Sequence, residues 1–324
     1  MALTKKLDAI GEAIREKTGD TNKYTLDEMV TAIGTISGGG GGSAAGLVDG
    51  TTTVLKDGDA KAVNMAFINS NLTEINLSRA ESVDFVNNNT SWGIKCYVNG
   101  ADYSCGAFGA NSKLAKVSMP KCKKVGDYTF IGCTALTDVD LSACTSIGQY
   151  AFYYCIGLKT LDKLGACLTV GDYAFSTCKN LTTVSLPACT SLGQYAFYDC
   201  TSLASVELPA CTSLKQSAFN NCTSLSSVDL ERIDQNIQQQ TFCNNYSLTA
   251  VIIRTTYKVI GLSSTSAFSN CYHFYGTVNA TYNPDGLKDG YIYVPDTLVD
   301  SYKTATNWVT LADQIKPLSE LPTA

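Results

Sequence analysis

The sequence predicts a repeat solenoid built from short strands that stack every 22–23 residues. The first observation is a marker phenylalanine that recurs at this period, usually in the pattern A-F-x-x-C. The second is an alternating V-x-L segment in each unit. A fixed period in this range is typical of solenoids, and alternating apolar residues are typical of strands. The markers are Phe108, Phe130, Phe152, Phe175, Phe197, Phe219 and Phe242.

Cysteine occupies two fixed positions in most units, although the chain has only one histidine. Disulfides are conceivable because the count of 14 is even, but a cysteine in every unit offers no unique pairing. Metal binding needs clustered ligands such as C-x-x-C, which the sequence lacks. We therefore expect buried free thiols, no metal and no cofactor, in a protein that folds in a reducing cytoplasm. The two positions hold Cys133, Cys155, Cys178, Cys200 and Cys222 after the marker, and Cys122, Cys144, Cys167, Cys189 and Cys211 after the strand.

Composition and charge argue against several classes of protein. The net charge of −5 gives no basic excess for nucleic acid. No apolar run approaches the roughly 20 residues that span a bilayer. Charged residues interrupt the N-terminal stretch where a secretory signal needs a continuous apolar core. We expect an acidic, soluble protein with no nucleic-acid partner, no membrane insertion and no export by that route.

Residues 1–36 are predicted to form a small N-terminal helical segment. One helix has an apolar face, and a second helix begins at Thr25, which forms a capping box with Glu28. Segments below about 40 residues rarely close a core alone, so we expect docking or self-association, for example as a trimer. Residues 37–46 are a Gly/Ser linker by composition, since they match neither phosphate-loop pattern. The face of the first helix comprises Leu3, Leu7, Ile10 and Ile14.

The solenoid is placed at residues 47–275 and a C-terminal helical cap at residues 276–324. In the cap we expect Asp296 to cap a helix and Trp308 to cover the last exposed turn. The units lose regularity at both ends, as terminal repeats do. Residues 86–106 form an insertion or a degenerate unit, and Asn245 stands where a cysteine is expected.

The repeated unit L-x-x-V-x-L-P-A-C-T-S-L-G-x-Y-A-F-x-x-C resembles the BspA-type leucine-rich repeats. That resemblance covers most of the chain and implies a surface-exposed solenoid that serves adhesion. Residues 1–36 are similar, over a much shorter stretch, to the N-terminal segment of tail-associated proteins from phages and prophages of gut bacteria. The segment from Tyr291 onward is similar to the one that closes many such arrays.

A column of tyrosines is the candidate ligand-binding site. Tyrosine stands two residues before the marker in four consecutive units, and others fall in the variable turn behind it. These rings can simply pack along the stack as half-buried residues. Alternatively they form an aromatic surface for a bacterial glycan or protein, because such rings offer contact area at low entropic cost. The candidates are Tyr128, Tyr150, Tyr153, Tyr154, Tyr173, Tyr195 and Tyr198.

Catalysis finds little support in the sequence. A Ser/His/Asp or Cys/His arrangement would have to use His273, in the irregular end of the array. A carboxylate column could supply an acid pair for glycoside hydrolysis, but a column that repeats with the solenoid is more simply its solvated face. We therefore expect a protein that is not an enzyme. The column holds Asp140, Asp162, Glu207 and Asp229, with Ser118 and Ser185 at equivalent positions.

Together these patterns favour a recognition protein of a phage tail that binds a bacterial surface receptor through its repeats. Residues 1–36 would attach it to other virion tail proteins, and lysis would release it from the host cytoplasm in which it is made. The alternative is an adhesin of the same repeat family on the bacterial cell surface. An adhesin should carry an export signal and an anchor, and the sequence shows neither.

Overall fold

The fold was determined as a computed structural model, which describes residues 54–56, 73–76, 82–83, 95–98, 101–104 and 108–322. The segments predicted at residues 1–36 and 37–46 lie outside the described residues. The strands are β1 (Val54–Lys56), β2 (Glu74–Asn76), β3 (Ser82–Val83), β4 (Lys95–Val98), β5 (Ala101–Ser104), β6 (Lys116–Ser118), β7 (Lys124–Val125), β8 (Asp138–Asp140), β9 (Ser146–Ile147), β10 (Thr160–Leu161), β11 (Thr169–Val170), β12 (Thr183–Ser185), β13 (Ser191–Leu192), β14 (Ser205–Glu207), β15 (Ser213–Leu214), β16 (Ser227–Leu230), β17 (Ala250–Ile253), β18 (Tyr291–Val294) and β19 (Ile315–Pro317). The α-helices are α1 (Tyr272–Tyr275) and α2 (Val299–Thr304), and short 3₁₀ helices span Thr265–Phe268, Asp296–Leu298, Trp308–Gln314 and Leu318–Glu320.

The solenoid is built from two columns of short parallel strands, and each regular repeat adds one strand to each column. The first column contains the sheets β1-β2-β6-β8 and β10-β12-β14, and the second is the sheet β3-β7-β9-β11-β13-β15. Equivalent residues face each other across repeats, as Val117 faces Val139 and Val184 faces Val206. The predicted repeat solenoid with stacked strands is confirmed.

The core consists of side-chain ladders that run along the solenoid. The marker phenylalanines are at most 1% exposed, and their ring centroids lie 5.1 to 5.9 Å from the next ring. Parallel stacking of this kind adds aromatic contact energy to the burial of apolar area. A second ladder, fully buried, is formed by Leu136, Leu158, Leu181, Leu203 and Leu225.

The two cysteine ladders are also buried, and all cysteines from Cys122 to Cys271 are free. In one ladder each thiol donates to the marker carbonyl of the preceding repeat, as Cys155 Sγ does to Phe130 O at 3.1 Å. In the other, each thiol donates to the carbonyl two residues on, as Cys144 Sγ does to Ser146 O at 3.2 Å. Burial raises the pKa of Cys144 to about 11 and that of Cys178 to about 12. The thiols therefore stay protonated and act as small donors inside the core.

The parallel sheet continues beyond residue 275. Strands β16, β17, β18 and β19 form one sheet in that order, so the region predicted as a helical cap contains strands as well as α2. Trp308 is buried, and its Nε1 donates to Ile260 O at 2.7 Å. Tyr302 Oη accepts from Ile260 N at 2.9 Å. Asp296 does not cap the helices next to it in sequence, whose N-caps are Pro295 and Leu298, but its Oδ1 accepts from Ser319 N at 3.1 Å in the first turn of the 3₁₀ helix Leu318–Glu320.

The predicted insertion contains the antiparallel hairpin β4–β5, which forms a two-stranded sheet of its own. Val98 of this hairpin is buried, with 4% of its surface exposed. None of the helices in the described part of the chain has the length and apolar content of a membrane span.

Candidate functional site

The predicted site residues come together on one turn of the solenoid, which we call the tyrosine face (Tyr128, Tyr150, Tyr153, Tyr154, Tyr173, Tyr195 and Tyr198). Glycine opens this turn because consecutive repeats approach closely. A Cβ at Gly148 would lie 2.5 Å from Asp127 Oδ1, and one at Gly193 would lie 2.6 Å from Asp172 Oδ1. Asp127 Oδ1 uses that space to accept from Gln149 N at 2.8 Å. The glycine in G-x-Y-A-F is therefore a steric requirement.

The four tyrosines that stand two residues before a marker have left-handed backbone conformation. Their φ angles are 57° at Tyr128, 54° at Tyr150, 56° at Tyr173 and 55° at Tyr195. The conformation aims each backbone N–H at the next repeat, as when Tyr128 N donates to Gln149 O at 2.8 Å. A bulky residue in this region costs about 1–2 kcal/mol, which the ladder of hydrogen bonds offsets.

The four rings form one continuous stack. Ring centroids are 5.1 Å apart between Tyr128 and Tyr150, and 4.7 Å apart for each of the two following pairs. The planes of neighbouring rings differ by 3° to 11°. Because neighbours cover the faces of Tyr150 and Tyr173, these inner rings offer their edges and hydroxyls to a ligand. The face is thus a row of phenol groups, whereas the sequence suggested open aromatic surfaces.

The remaining tyrosines of the face buttress this stack. Tyr153 lies edge-on to Tyr150 with centroids 5.5 Å apart, and Tyr198 lies edge-on to Tyr195 at 5.7 Å. Tyr153 is 8% exposed, whereas Tyr198 is half-buried. Tyr154 is half-buried and packs against the small cluster that contains Tyr153. The rings therefore pack along the stack, as the first interpretation predicts, and the ligand surface stays a prediction.

Burial raises the pKa of several hydroxyls of this face. Desolvation, followed by the nearby Tyr173 and Tyr128, raises the pKa of Tyr150 to about 12. Desolvation followed by the charge of Asp127 raises the pKa of Tyr128, and desolvation also raises that of Tyr198. At neutral pH each phenol can both donate and accept a hydrogen bond. The face offers a ligand neutral hydrogen-bonding groups beside carboxylates.

A second left-handed column, two residues after the marker, was missed in the sequence. Its φ is 61° at Tyr154 and 62° at Thr177, and it continues through the amide row (Asp199, Asn221, Asn244 and Asn270). Asn221 Nδ2 donates to Asp199 Oδ1 at 2.6 Å, and Asn270 Nδ2 donates to Asn244 Oδ1 at 2.7 Å. The signal was present, because Gly132 and the amide row share one offset and favour this conformation.

A second tyrosine stack was also missed. Tyr246 and Tyr272 lie with ring centroids 4.8 Å apart and planes within 6°, and Tyr282 packs 4.9 Å from Tyr246. Tyr246 and Tyr272 lie four residues after their markers, and Tyr282 lies outside the repeats in the sequence. A search confined to the column before the marker could not find this stack.

The other candidate residues have separate partners. His273 Nδ1 lies 2.7 Å from Asp289 Oδ1. In the carboxylate column, Asp229 Oδ2 pairs with Arg254 Nη2 at 2.7 Å, and Glu207 accepts from Ser185 at 2.9 Å. Across the described ranges, no group of three His, Cys, Asp or Glu side chains is placed to hold a metal ion.

Comparison with known proteins identifies the repeats. The BspA type leucine rich repeat region matches in six copies, over residues 60–164, 101–209 and 145–275. Those matches extend over more than half of the chain. The chain belongs to the BspA-type leucine-rich repeat family. No curated protein matches it.

Several solved structures resemble this BspA-type protein. The leucine-rich repeat protein TpLRR of T. pallidum is 28% identical over 47% of this chain and 74% of its own, with a TM-score of 0.39. A leucine-rich repeat protein from Bacteroides ovatus is 16% identical, covering 83% of this chain and 76% of its own, with a TM-score of 0.41. A leucine rich cell surface protein from Faecalibacterium prausnitzii is 18% identical, covering 68% and 75%, with a TM-score of 0.32.

Proposed function

We propose that the protein is a non-enzymatic recognition protein of a bacterial cell surface, and that it binds an extended glycan along the tyrosine face. The observation that supports this is the stack of four tyrosines in left-handed conformation with protonated hydroxyls at its edge. Strained residues persist where the surrounding structure over-determines them, and they concentrate at functional sites. Membership of an adhesion-associated repeat family fits the same role.

The chemistry of the face favours a neutral, hydroxyl-rich polymer. Phenols spaced 4.7 to 5.1 Å apart form a rigid row that donates and accepts along the solenoid axis. The carboxylates of Asp127 and Asp172 lie close enough to influence the pKa of Tyr128 and Tyr173. Their charge disfavours anionic glycans. Solenoids present extended surfaces of this kind to extended partners.

A glycan array probed with the full chain tests this proposal. We expect binding to neutral oligosaccharides and a loss of at least about tenfold in affinity for the double variant Tyr173→Phe, Tyr195→Phe, since each hydrogen bond contributes about 1 kcal/mol. Tyr246→Phe is the matched control, because Tyr246 belongs to a similar stack outside the tyrosine face. Binding to a protein receptor instead of any glycan, or equal binding by the double variant, would contradict the proposal.

The same array tests whether the protein is an enzyme. A bound oligosaccharide incubated with the protein should keep its mass, because in the carboxylate column Asp229 is paired with Arg254 and Glu207 accepts from Ser185. Mass spectrometry of the recovered glycan gives the answer. A cleaved product would show catalysis and overturn the non-enzymatic assignment.

Cell-surface location is the adhesin alternative raised by the sequence. The buried thiols are compatible with it, because protonated thiols inside the core resist oxidation without a reducing compartment. The phage-tail hypothesis and the trimer depend on residues 1–36, outside the described residues, and no comparison supports the tail assignment. Antibody labelling of intact source cells should detect the protein. Its recovery only with phage particles on a density gradient would restore the tail hypothesis.

A further inference from the structure

We infer that the hairpin β4–β5 is the specificity element of the tyrosine face, and that it ends the face at the Tyr128 side so that the site binds a chain terminus. This rests on the proposed function for the ligand, but the position of the hairpin can be tested without one. The hairpin belongs to no solenoid sheet, so its place on the face follows from side-chain contacts.

The docking contact is complementary in shape. Val98, Ile131 and Tyr153 form a buried cluster separate from the main core, and Tyr128 and Tyr150 pack against it. Gly132 makes room for Val98, since a Cβ there would lie 2.7 Å from Val98 Cγ2. Gly132 also stands in the left-handed column that carries side chains in the later repeats. The hairpin therefore occupies, in this repeat, the space that a side chain would fill.

The two ends of the face differ. Tyr153 is 8% exposed at the hairpin end, whereas Tyr198, its equivalent two repeats later, is half-buried. Beyond Tyr198 the turn continues into the amide row, where Asn270 is exposed. A polymer lying along the solenoid axis can extend over the amide row but meets the hairpin at Tyr128. We assign ligand contact mainly to Tyr173, Tyr195 and Tyr198, and hairpin docking to Tyr128 and Tyr153.

Nitration of tyrosine by tetranitromethane tests this arrangement. In the full chain we expect Tyr198 to be nitrated and Tyr153 to be protected, as followed by peptide mass spectrometry. Val98→Asp should release the hairpin, because it places a charge in an apolar cluster, and should raise nitration of Tyr153 several-fold. Val278→Asp is the matched control, since Val278 is 70% exposed. Unchanged protection of Tyr153 in Val98→Asp, with a native circular dichroism spectrum, would overturn the inference.

Chain-end selectivity is tested with a glycan that the array identifies. The natural protein should bind the oligosaccharide only when one end is free, and Val98→Asp should accept the same sugar extended at that end. Equal binding of both forms by the natural protein would overturn the terminus claim. If no glycan binds at all, the proposed function fails, whereas the nitration result still decides whether the hairpin covers the face.

Discussion

The tyrosine face and the amide row lie on the same turn of one solenoid, yet their residue types differ in how well they tolerate the left-handed backbone conformation. Both have a left-handed residue two positions after the marker. In the amide row that residue is Asp199 or an asparagine, which tolerates the conformation, and side-chain hydrogen bonds link neighbouring repeats. In two of the repeats that carry the tyrosine face it is Tyr154 or Thr177, and a β-branched residue such as Thr177 is an outlier there. The fold imposes this conformation in both regions, since Ser217 and Gln240 also adopt it two residues before their markers, and only the amide row holds residues that tolerate it easily.

We expect the largest change in stability at alkaline pH, which should destabilise the tyrosine face and the amide row together. Folded pKa values are raised to about 11 at Cys189 and about 12 at Cys211, while unfolded thiols ionise near pH 9. The stabilisation is therefore full below about pH 9 and is lost as pH rises through 11 to 12, at about 1.4 kcal/mol per pH unit for each such thiol. Urea unfolding at pH 7 and pH 10.5 measures this loss. Equal midpoints would show that the thiols are not buried.

Exchanging residue types between the two regions, at the left-handed position two residues after the marker, should sharpen the contrast in their stability. Thr177→Asn relieves a β-branched residue and should raise the free energy of unfolding by about 1 kcal/mol. Asn221→Thr introduces the same strain and removes the bond to Asp199, so it should lower that free energy by about 2 kcal/mol. Urea titrations of the two variants compare them directly. Shifts of the same sign would refute the strain argument.

Asn245 marks the repeat in which the thiol ladder is interrupted. Its Oδ1 accepts from Cys222 N at 2.9 Å, but its Nδ2 is buried without a partner. Asn245→Cys should restore the bond to the marker carbonyl of the preceding repeat and stabilise the protein by about 1 kcal/mol. Thermal unfolding followed by circular dichroism measures the change. A lower midpoint would mean that the amide has a partner in solution.

Removing a hydroxyl from the tyrosine face should have the smallest effect on folding. Tyr173→Phe should change the free energy of unfolding by less than about 0.5 kcal/mol, because its hydroxyl lies at the edge of the stack. Tyr302→Phe is the contrasting case, since its hydroxyl is the buried acceptor for Ile260 N and its loss should cost about 1–3 kcal/mol. If Tyr173→Phe were the more destabilising, the face would be structural and not a ligand surface.

The sequence predicts the regular part of the fold well because each unit repeats its neighbour's environment. The period of the markers sets the strand spacing, and the Leu136 and Cys133 columns follow from it. Ladder positions need no long-range information, since each repeat contacts mainly the next. The buried free thiols from Cys122 to Cys271 are confirmed for the same reason.

The details of the site depend on terms that the period does not encode. The faces of Tyr150 and Tyr173 are covered because the rings lie parallel to one another. The spacing of tyrosines in the sequence does not determine the orientation of their rings. Val98 lies outside the period, so its docking against Gly132 is a tertiary contact with no local signal. The carboxylate of Asp296 accepts from Ser319 N in the first turn of a helix 23 residues away, and the sequence does not indicate which helix it would reach.

The uniform register between repeats has an evolutionary consequence. Neighbouring units meet through the same parallel pairing, as Thr169 does with both Ser146 and Ser191, and no disulfide ties one described repeat to another. Recombination between two units of the gene would therefore insert or remove one whole unit without creating a new kind of interface. Each such event would lengthen or shorten the row of phenols by a single ring. The length of the solenoid can be changed by gene duplication alone, one 22-residue step at a time.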